Sequence, residues 1–271
     1  MSDTSGKTAF VTGASTGIGK QTALALVKAG YRVIGTSRKA SPDEVRDGIR
    51  MVACDVTSDA SVATAVTQAH GELGHIDLLV NNAGFGITGA AEESSISQVR
   101  AMYETNVFGL LRVTNAVLPI MRAQRSGRIL NVGSVAGLGP FPFGAHYAAT
   151  KFAVEGYSES LDHEVREFGV RVAVIEPGPT RTSFEASTVQ ADTPHADYTV
   201  ARKKYDVAFD LAMAEAASAE SVAETIVLAA QDKTPRLRYT SGKSAGQIAF
   251  ARRFLPRSTF DKILRKQFGL A

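Results

Sequence analysis

Residues 8–19 read Thr8-Ala9-Phe10-Val11-Thr12-Gly13-Ala14-Ser15-Thr16-Gly17-Ile18-Gly19. Lys7 to Val11 reads as a short apolar strand, the glycines as a turn, and Lys20 to Ala29 as a helix. Strand, glycine-rich turn and helix in that order can cradle a pyrophosphate. Glycine lets the backbone approach the phosphate, and the helix N-terminus offers free N–H groups and a positive dipole end. The spacing is Gly-x-x-x-Gly-x-Gly, not the commoner Gly-x-Gly-x-x-Gly. A tight turn before a helix is the plainer reading of the same glycines, so the rest of the chain has to decide.

Strands and helices alternate along that remainder. Strands are predicted at 31–36, 51–54, 76–80, 127–132 and 170–175, with a seventh at 237–240. Helices are predicted at 58–73, about 95–123, 145–168, 199–214 and 219–231. Such alternation argues for an α/β fold, a parallel sheet with helices on both faces. A length of 271 residues with 44% hydrophobic residues is enough for one sizeable core.

Tyr147 and Lys151 are four apart, so on one helix they share a face and a phenol can meet an ammonium. A phenol has a pKa near 10, and a close cation favours its phenolate. Ser134, thirteen residues upstream, adds a hydroxyl able to polarise a carbonyl and completes the outline of an acid/base site. A Tyr-x-x-x-Lys pair also occurs on ordinary amphipathic helices with a solvated Lys. Asn106 falls inside a predicted helix, where Asn is mildly unfavourable.

Taken in order, Thr12-Gly13-x-x-x-Gly17-x-Gly19, Asp55-Val56, Asn81-Asn82-Ala83-Gly84, Asn106, Ser134, Tyr147-x-x-x-Lys151 and Pro177-Gly178-x-x-x-Thr182 resemble the short-chain dehydrogenase/reductase family over residues 7 to about 232. The resemblance implies a single-domain, doubly wound, Rossmann-type sheet of about seven strands and an oxidoreductase that interconverts a carbonyl and an alcohol, with Asn106, Ser134, Tyr147 and Lys151 as its catalytic residues. It sets a dinucleotide against Gly13, Ser15, Thr16, Gly17, Ile18, Gly19, Ser37, Arg38, Asp55, Val56, Asn82, Ala83, Gly84, Tyr147, Lys151, Pro177, Gly178, Thr180 and Thr182. Tyr147 would protonate the carbonyl oxygen, Lys151 would lower its pKa and hold the nicotinamide ribose, Ser134 would orient the carbonyl, and Asn106 would support a proton relay through a water. The family's acidic position after strand two is Ser37 here, followed by Arg38 and Lys39. A carboxylate there suits a free ribose hydroxyl and a guanidinium suits a 2′-phosphate, so NADP is the expected cofactor. The second basic residue common in the glycine loop of NADP-preferring relatives is replaced by Thr16. A 3-oxoacyl thioester reductase and a non-catalytic NADP-binding regulator are the alternatives; the intact tetrad argues against the second.

Residues 183–198 form a long connection after strand six, and the resemblance makes this segment a mobile lid over the substrate. Phe141 and Phe143, between Ser134 and Tyr147, point to a bulky apolar substrate or to packing against the lid or a neighbouring subunit. One cysteine, Cys54, excludes an intramolecular disulfide and reads as inert packing. The polar start, Met1 to Gly6, and the absence of an apolar run near the roughly 20 residues of a spanning helix lead us to expect a cytoplasmic protein. His70, His75, His163 and His195 have no metal-ligand spacing, and His146 should point away from the site, so no metal is expected. Net charge is +3, yet residues 233–271 hold ten Lys/Arg and one acid, Asp261, which leaves a body of 20 basic and 26 acidic residues. Nucleic-acid binding is therefore not expected; a small carbonyl or alcohol substrate and a homo-dimer or homo-tetramer are. In the tail, Ser258 reads as an N-cap after Pro256, with Phe260, Ile263, Leu264 and Phe268 on one helical face. That face should dock on the body or a sister subunit; binding of the basic helix to anionic lipid is the alternative.

Overall fold

In the computed structural model, which describes residues 6–182 and 184–270, all seven predicted strands lie in one sheet. Residues 1–5, Ser183 and Ala271, which belong to the polar start, the lid and the tail, lie outside the described residues. The elements are β1 (Thr8–Val11), α1 (Gly17–Lys28), β2 (Arg32–Ser37), β3 (Val45–Arg46), β4 (Ile49–Ala53), α2 (Asp59–Leu73), β5 (Leu78–Asn81), β6 (Ile87–Thr88), α3 (Ile96–Tyr103), α4 (Leu110–Gln124), β7 (Gly127–Val132), α5 (Ala145–Val165), β8 (Val170–Pro177), β9 (Thr180–Arg181), α6 (Phe184–Ser187), β10 (Val189–Gln190), α7 (Thr199–Ala214), β11 (Ala217–Ser218), α8 (Ala219–Gln231), β12 (Arg238–Ser241), α9 (Lys243–Phe254) and α10 (Arg257–Gln267). The main sheet runs β12-β8-β7-β5-β1-β2-β4-β3, parallel except for the edge hairpin strand β3. The chain builds from β1 to one edge, then returns to the other side of β1 with β5. That reversal opens a crevice at the carboxyl ends of β1 and β5, where sheets of this kind take ligands.

Side chains alternate across the strands and fill two cores. Phe10, Leu79 and Ile129 face α2, α4 and α5, packing with Val62, Val117 and Leu161. Ala9, Val80 and Leu130 face α1 and α8, packing with Leu26, Val222 and Ile226. Burial on both faces is why these strands read as near-continuous apolar runs. One polar chain crosses the first core: Asn81 Nδ2 donates to Thr114 Oγ1 and Asn131 Oδ1, both at 2.9 Å, and Asn131 Nδ2 donates to Ser158 Oγ at 2.8 Å. Buried amides are costly unless paired, so this chain ties β5, β7, α4 and α5 in one register.

Several predicted bounds need correction. The long helix at 95–123 is α3, a π turn over Glu104–Gly109, and α4. Gly109 sits where a Cβ would fall 2.7 Å from Val56 Cγ2, so the segment presses on the β4–α2 connection at the point where its register changes. The α-helix predicted to reach 168 ends at Val165 in a 3₁₀ turn, with Gly169 left-handed at φ +73. α9 has no counterpart among the predicted helices. α10 starts at Arg257 behind Pro256, so Ser258 is inside the first turn and not the N-cap. Phe260 and Phe268 are each 9% exposed, but Ile263 is 51% exposed and leaves the inward face.

The tail docks on its own body. Phe268 stacks on Phe141 at 6.4 Å and on Tyr205 at 5.7 Å between ring centroids, joining Phe143 in an apolar cluster with α7. Phe260 lies over Gly139, where a Cβ would meet its ring at 3.0 Å. No helix among the described residues is long and apolar enough to cross a membrane.

Candidate active site

The glycine loop is shaped by Thr12 and Asn82. Thr12 Oγ1 accepts the backbone N–H groups of Asn82, at 2.9 Å, and Ala83, at 3.1 Å; Asn82 Nδ2 donates to Thr12 O at 3.0 Å and Gly13 O at 3.1 Å. Gly13 has φ +65 and Gly17 φ +56, conformations open to glycine. A Cβ on Gly19 would fall 2.2 Å from Gly13 O, so no larger residue fits this turn. Thr16 is the N-cap of α1, and no side chain caps the helix. The 12-residue helix therefore presents its first N–H groups without a capping side chain, behind a loop that brings Ser15 and Ile18 to its rim. The residues present fit a dinucleotide phosphate.

Ser37 ends β2, its Oγ accepting the Lys39 N–H at 3.3 Å, and Arg38 is exposed beside it. Asp55 lies beside them, just after β4, which pairs with β2. Its Oδ1 accepts from Thr57 N at 3.0 Å and Thr57 Oγ1 at 2.8 Å, bonds that hold the carboxyl below its usual range, with a smaller contribution from Arg38. Asp55 thus forms the turn before α2, whose N-cap is Ser58. Val56 is buried against Gly109. Buried Cys54 has its thiol pushed up to about 11, first by burial and then by Asp55, as inert packing requires.

Ser134 follows β7, and Tyr147 and Lys151 lie in the first two turns of α5. Ser134 Oγ accepts from Ala136 N at 3.1 Å, beside the Tyr147 phenol. Burial pushes the Tyr147 phenol up to about 12, and the nearby Ser134 hydroxyl opposes this. Lys151 is 8% exposed; burial lowers its ammonium to about 8, and Glu155 opposes the fall. The ammonium does not meet the phenol oxygen as the i, i+4 spacing predicts. Lys151 Nζ donates to Val132 O at 2.9 Å and stands 5.6 Å from the Tyr147 ring centroid. A buried ammonium cannot leave its protons unpaired, and the end of β7 offers the carbonyl.

Asn106 sits in the π turn, buried to 3%. Its Oδ1 accepts from Phe85 N at 3.0 Å, and its Nδ2 donates to Phe85 O at 2.8 Å and Thr150 Oγ1 at 3.3 Å. The amide therefore anchors the Asn82-Ala83-Gly84 strand end to α5, with Gly84 making the room for it. His146 turns away, Nε2 lying 2.9 Å from Ala91 O. On the far side, Gly178 N donates to Ser241 O at 3.1 Å, Thr180 Oγ1 donates to Gly178 O at 2.8 Å, and Thr182 Oγ1 accepts from Phe184 N at 3.0 Å. Buried Pro177 ends β8 beside them.

The segment expected as a lid brings Phe184 to the site, and sequence reading missed the residue that fastens it. Phe184 lies 5.8 Å from Tyr147 between ring centroids and packs over Gly86. Glu93, 1% exposed, fastens the far end of this lid: its carboxylate accepts from His195 N at 2.7 Å and pairs with Arg202, and its carbonyl accepts from Thr193. An acid in a turn gives no pattern that would flag such a role. Phe143, at φ +60, packs on Tyr205 at 5.3 Å, so the expected pocket-side phenylalanines are shared with α7 and the tail.

A model of the short chain dehydrogenase family matches residues 7–193. The chain is 46% identical over 175 residues to a "3-ketodihydrosphingosine reductase" of Bacteroides thetaiotaomicron, covering 65% of this chain and 64%, just under two thirds, of that relative. It is 35% identical to the "Uncharacterized oxidoreductase YusZ" of Bacillus subtilis, over 96% of this chain and 98% of that one. Its fold superposes on a short-chain dehydrogenase from Streptomyces avermitilis with a TM-score of 0.82 at 30% identity, covering 98% and 99% of the two chains. With a family model over more than half of its length, the chain belongs to the short-chain dehydrogenase family.

Proposed function

We propose that residues 1–271 act as one catalytic domain, an NADP(H)-dependent oxidoreductase that interconverts a carbonyl and a secondary alcohol on a bulky apolar substrate. The buried Tyr147 phenol beside the Ser134 hydroxyl, with Lys151 held one turn below on Val132 O, carries this reading. A bound nicotinamide dinucleotide supplies or accepts the hydride. Gly13, Gly17, Gly19, Asn82 and the uncapped end of α1 would hold its phosphates, and Arg38 a 2′-phosphate. Ser134 orients the carbonyl by its hydroxyl. Tyr147 gives its proton to the carbonyl oxygen in reduction and takes it back in oxidation. A phenol at about 12 is protonated throughout the neutral range and ready for reduction. Lys151, ionised below about 8, stabilises the phenolate left behind.

Phe184, packed on Tyr147, supports the apolar substrate, as do Phe141 and Phe143 in the segment between Ser134 and Tyr147 and the sphingoid ketone in the name of the Bacteroides relative. The test is consumption of NADPH, with NADH alongside, against aldehydes, cyclic ketones, steroids and acyl thioesters. Turnover of none of them would overturn the proposal. Deleting residues 257–271 removes Phe260 from Gly139 and Phe268 from the cluster with Phe141 and Tyr205. Each buried Phe stabilises by about 1.5–3 kcal/mol, and each kcal/mol is about 2–4 °C of Tm at this size. A Tm lower by roughly 6 °C or more and a raised KM, with NADPH affinity kept, are expected. An unchanged Tm and KM, with lipid binding lost, would show that the tail serves a membrane surface instead.

A further inference from the structure

One turn beyond Lys151, Glu155 is 3% exposed, and Glu176 near the end of β8 is 1% exposed. Arg238 of β12 serves both. Its Nε stands 2.9 Å from Glu155 Oε2 and 3.4 Å from Glu176 Oε1, and its Nη2 is 3.1 Å from Glu159 Oε1. Neither Glu155 Oε1 nor Glu176 Oε1 receives a hydrogen bond from the described residues. The cluster also underlies the Ser134 turn. A Cβ on Gly133 would fall 3.0 Å from Glu155 Oε1, and one on Gly137 3.0 Å from Glu155 Cγ, so glycine on either side of Ser134 makes room for this side chain.

The charges facing one another are Lys151, Glu155 and Glu159 of α5, Glu176 of β8 and Arg238 of β12; three acids meet two cations. Glu159 and Arg238 are partly in solvent, so with Glu155 and Glu176 both ionised the fully buried charges would be two negative against one positive, Lys151, which is costly. One proton balances the set. Burial raises both carboxyls, but Glu155 has Arg238 at 2.9 Å and the pull of Lys151, against 3.4 Å from Arg238 to Glu176, so the proton belongs on Glu176. Burial, then Glu155, push the Glu176 carboxyl up to about 7 against the pull of Arg238.

We propose that Glu155 is a positioning residue for the carbonyl–alcohol chemistry: kept ionised by Arg238 while Glu176 retains a proton, it supplies the buried negative charge that holds Lys151 as an ammonium beneath Tyr147. This rests on the roles given above to Tyr147 and Lys151. Glu155 touches neither substrate nor cofactor and acts through Lys151.

E155Q keeps the shape and removes the charge. In NADPH-linked reduction, the alkaline limb of kcat, where Lys151 loses its proton, should move down by roughly half a pH unit or more, with KM little changed. E155D should restore part of the shift. A folded E155Q with the wild-type limb overturns the proposal. E176Q tests the shared proton without any substrate. The folded-state pKa of Glu176 is raised above its unfolded value, so wild type loses stability as pH rises between the ordinary Glu range and about 7. E176Q lacks that loss. Its Tm minus that of wild type should grow by about 3 °C or more from pH 5 to pH 8. A constant difference overturns the proposal, including where E155Q does not fold. Wild type inert towards every carbonyl would sink the functional reading instead, and the E176Q arm would still decide whether the cluster holds a proton.

Discussion

Tyr147→Phe is expected to lower kcat for carbonyl reduction by roughly 100- to 10,000-fold, the range that general acid catalysis contributes. The substitution keeps the ring, and with it the contact with Phe184 at 5.8 Å and the place of the Lys151 ammonium 5.6 Å from the ring centroid. It removes only the hydroxyl, which lies beside that of Ser134 and is the proton that the proposal gives to the carbonyl oxygen. Thermal stability and NADPH affinity should therefore stay near wild type, since Lys151 remains fixed on Val132 O. Steady-state kinetics, with fluorescence titration of NADPH, separate the two quantities. A variant that keeps more than about a tenth of wild-type turnover would place the acid elsewhere.

The sheet was legible in the sequence because its physics is local and periodic. β1, β5, β7 and β8 are apolar runs closed by Gly, Asn or Pro, and burial on both faces demands such runs. The glycine loop was legible for a different reason. At Gly13, Gly17 and Gly19, a left-handed turn or an approach of 2.2 Å leaves one residue type possible, so the spacing itself carries information. The rest depends on partners far along the chain. Helix periodicity over 95–123 is continuous through Asn106, and nothing local announces the π turn that brings its amide to Phe85 and Thr150. Glu93 meets its lid partners about a hundred residues later, and Glu155 meets Arg238 eighty-three residues later. Spacing placed Tyr147 and Lys151 on one face, yet not the carbonyl that takes the ammonium; that carbonyl is on β7, and only the tertiary fold supplies it. The tail shows the same division. Its amphipathic stripe announced a docked helix, but which of Phe260, Ile263, Leu264 and Phe268 turn inward was set by Gly139, Phe141 and Tyr205.

Arg38→Asp is expected to shift cofactor preference from NADP(H) towards NAD(H), moving the ratio of the two kcat/KM values by roughly 10- to 150-fold. This corresponds to the roughly 1.5–3 kcal/mol of a hydrogen bond to a charged group. Wild type has no carboxylate at the end of β2; Ser37 uses its hydroxyl on the Lys39 N–H, and Arg38 projects into solvent at the rim. A guanidinium there can clamp a 2′-phosphate, whereas a carboxylate repels it and accepts from a free ribose hydroxyl. Arg38 also adds to the forces that hold the Asp55 carboxyl low, so the new acid would face Asp55 as a like charge. Arg38→Gln distinguishes the two effects. It removes the cation without adding an anion, so it should weaken NADPH binding while leaving NADH kinetics almost unchanged. Arg38→Asp should do the same to NADPH and, in addition, improve NADH. Both ratios are read from initial rates with each cofactor at saturating carbonyl. If neither variant moves the ratio, Arg38 is a solvated bystander, and the choice between the cofactors rests with Thr16 and the glycine loop.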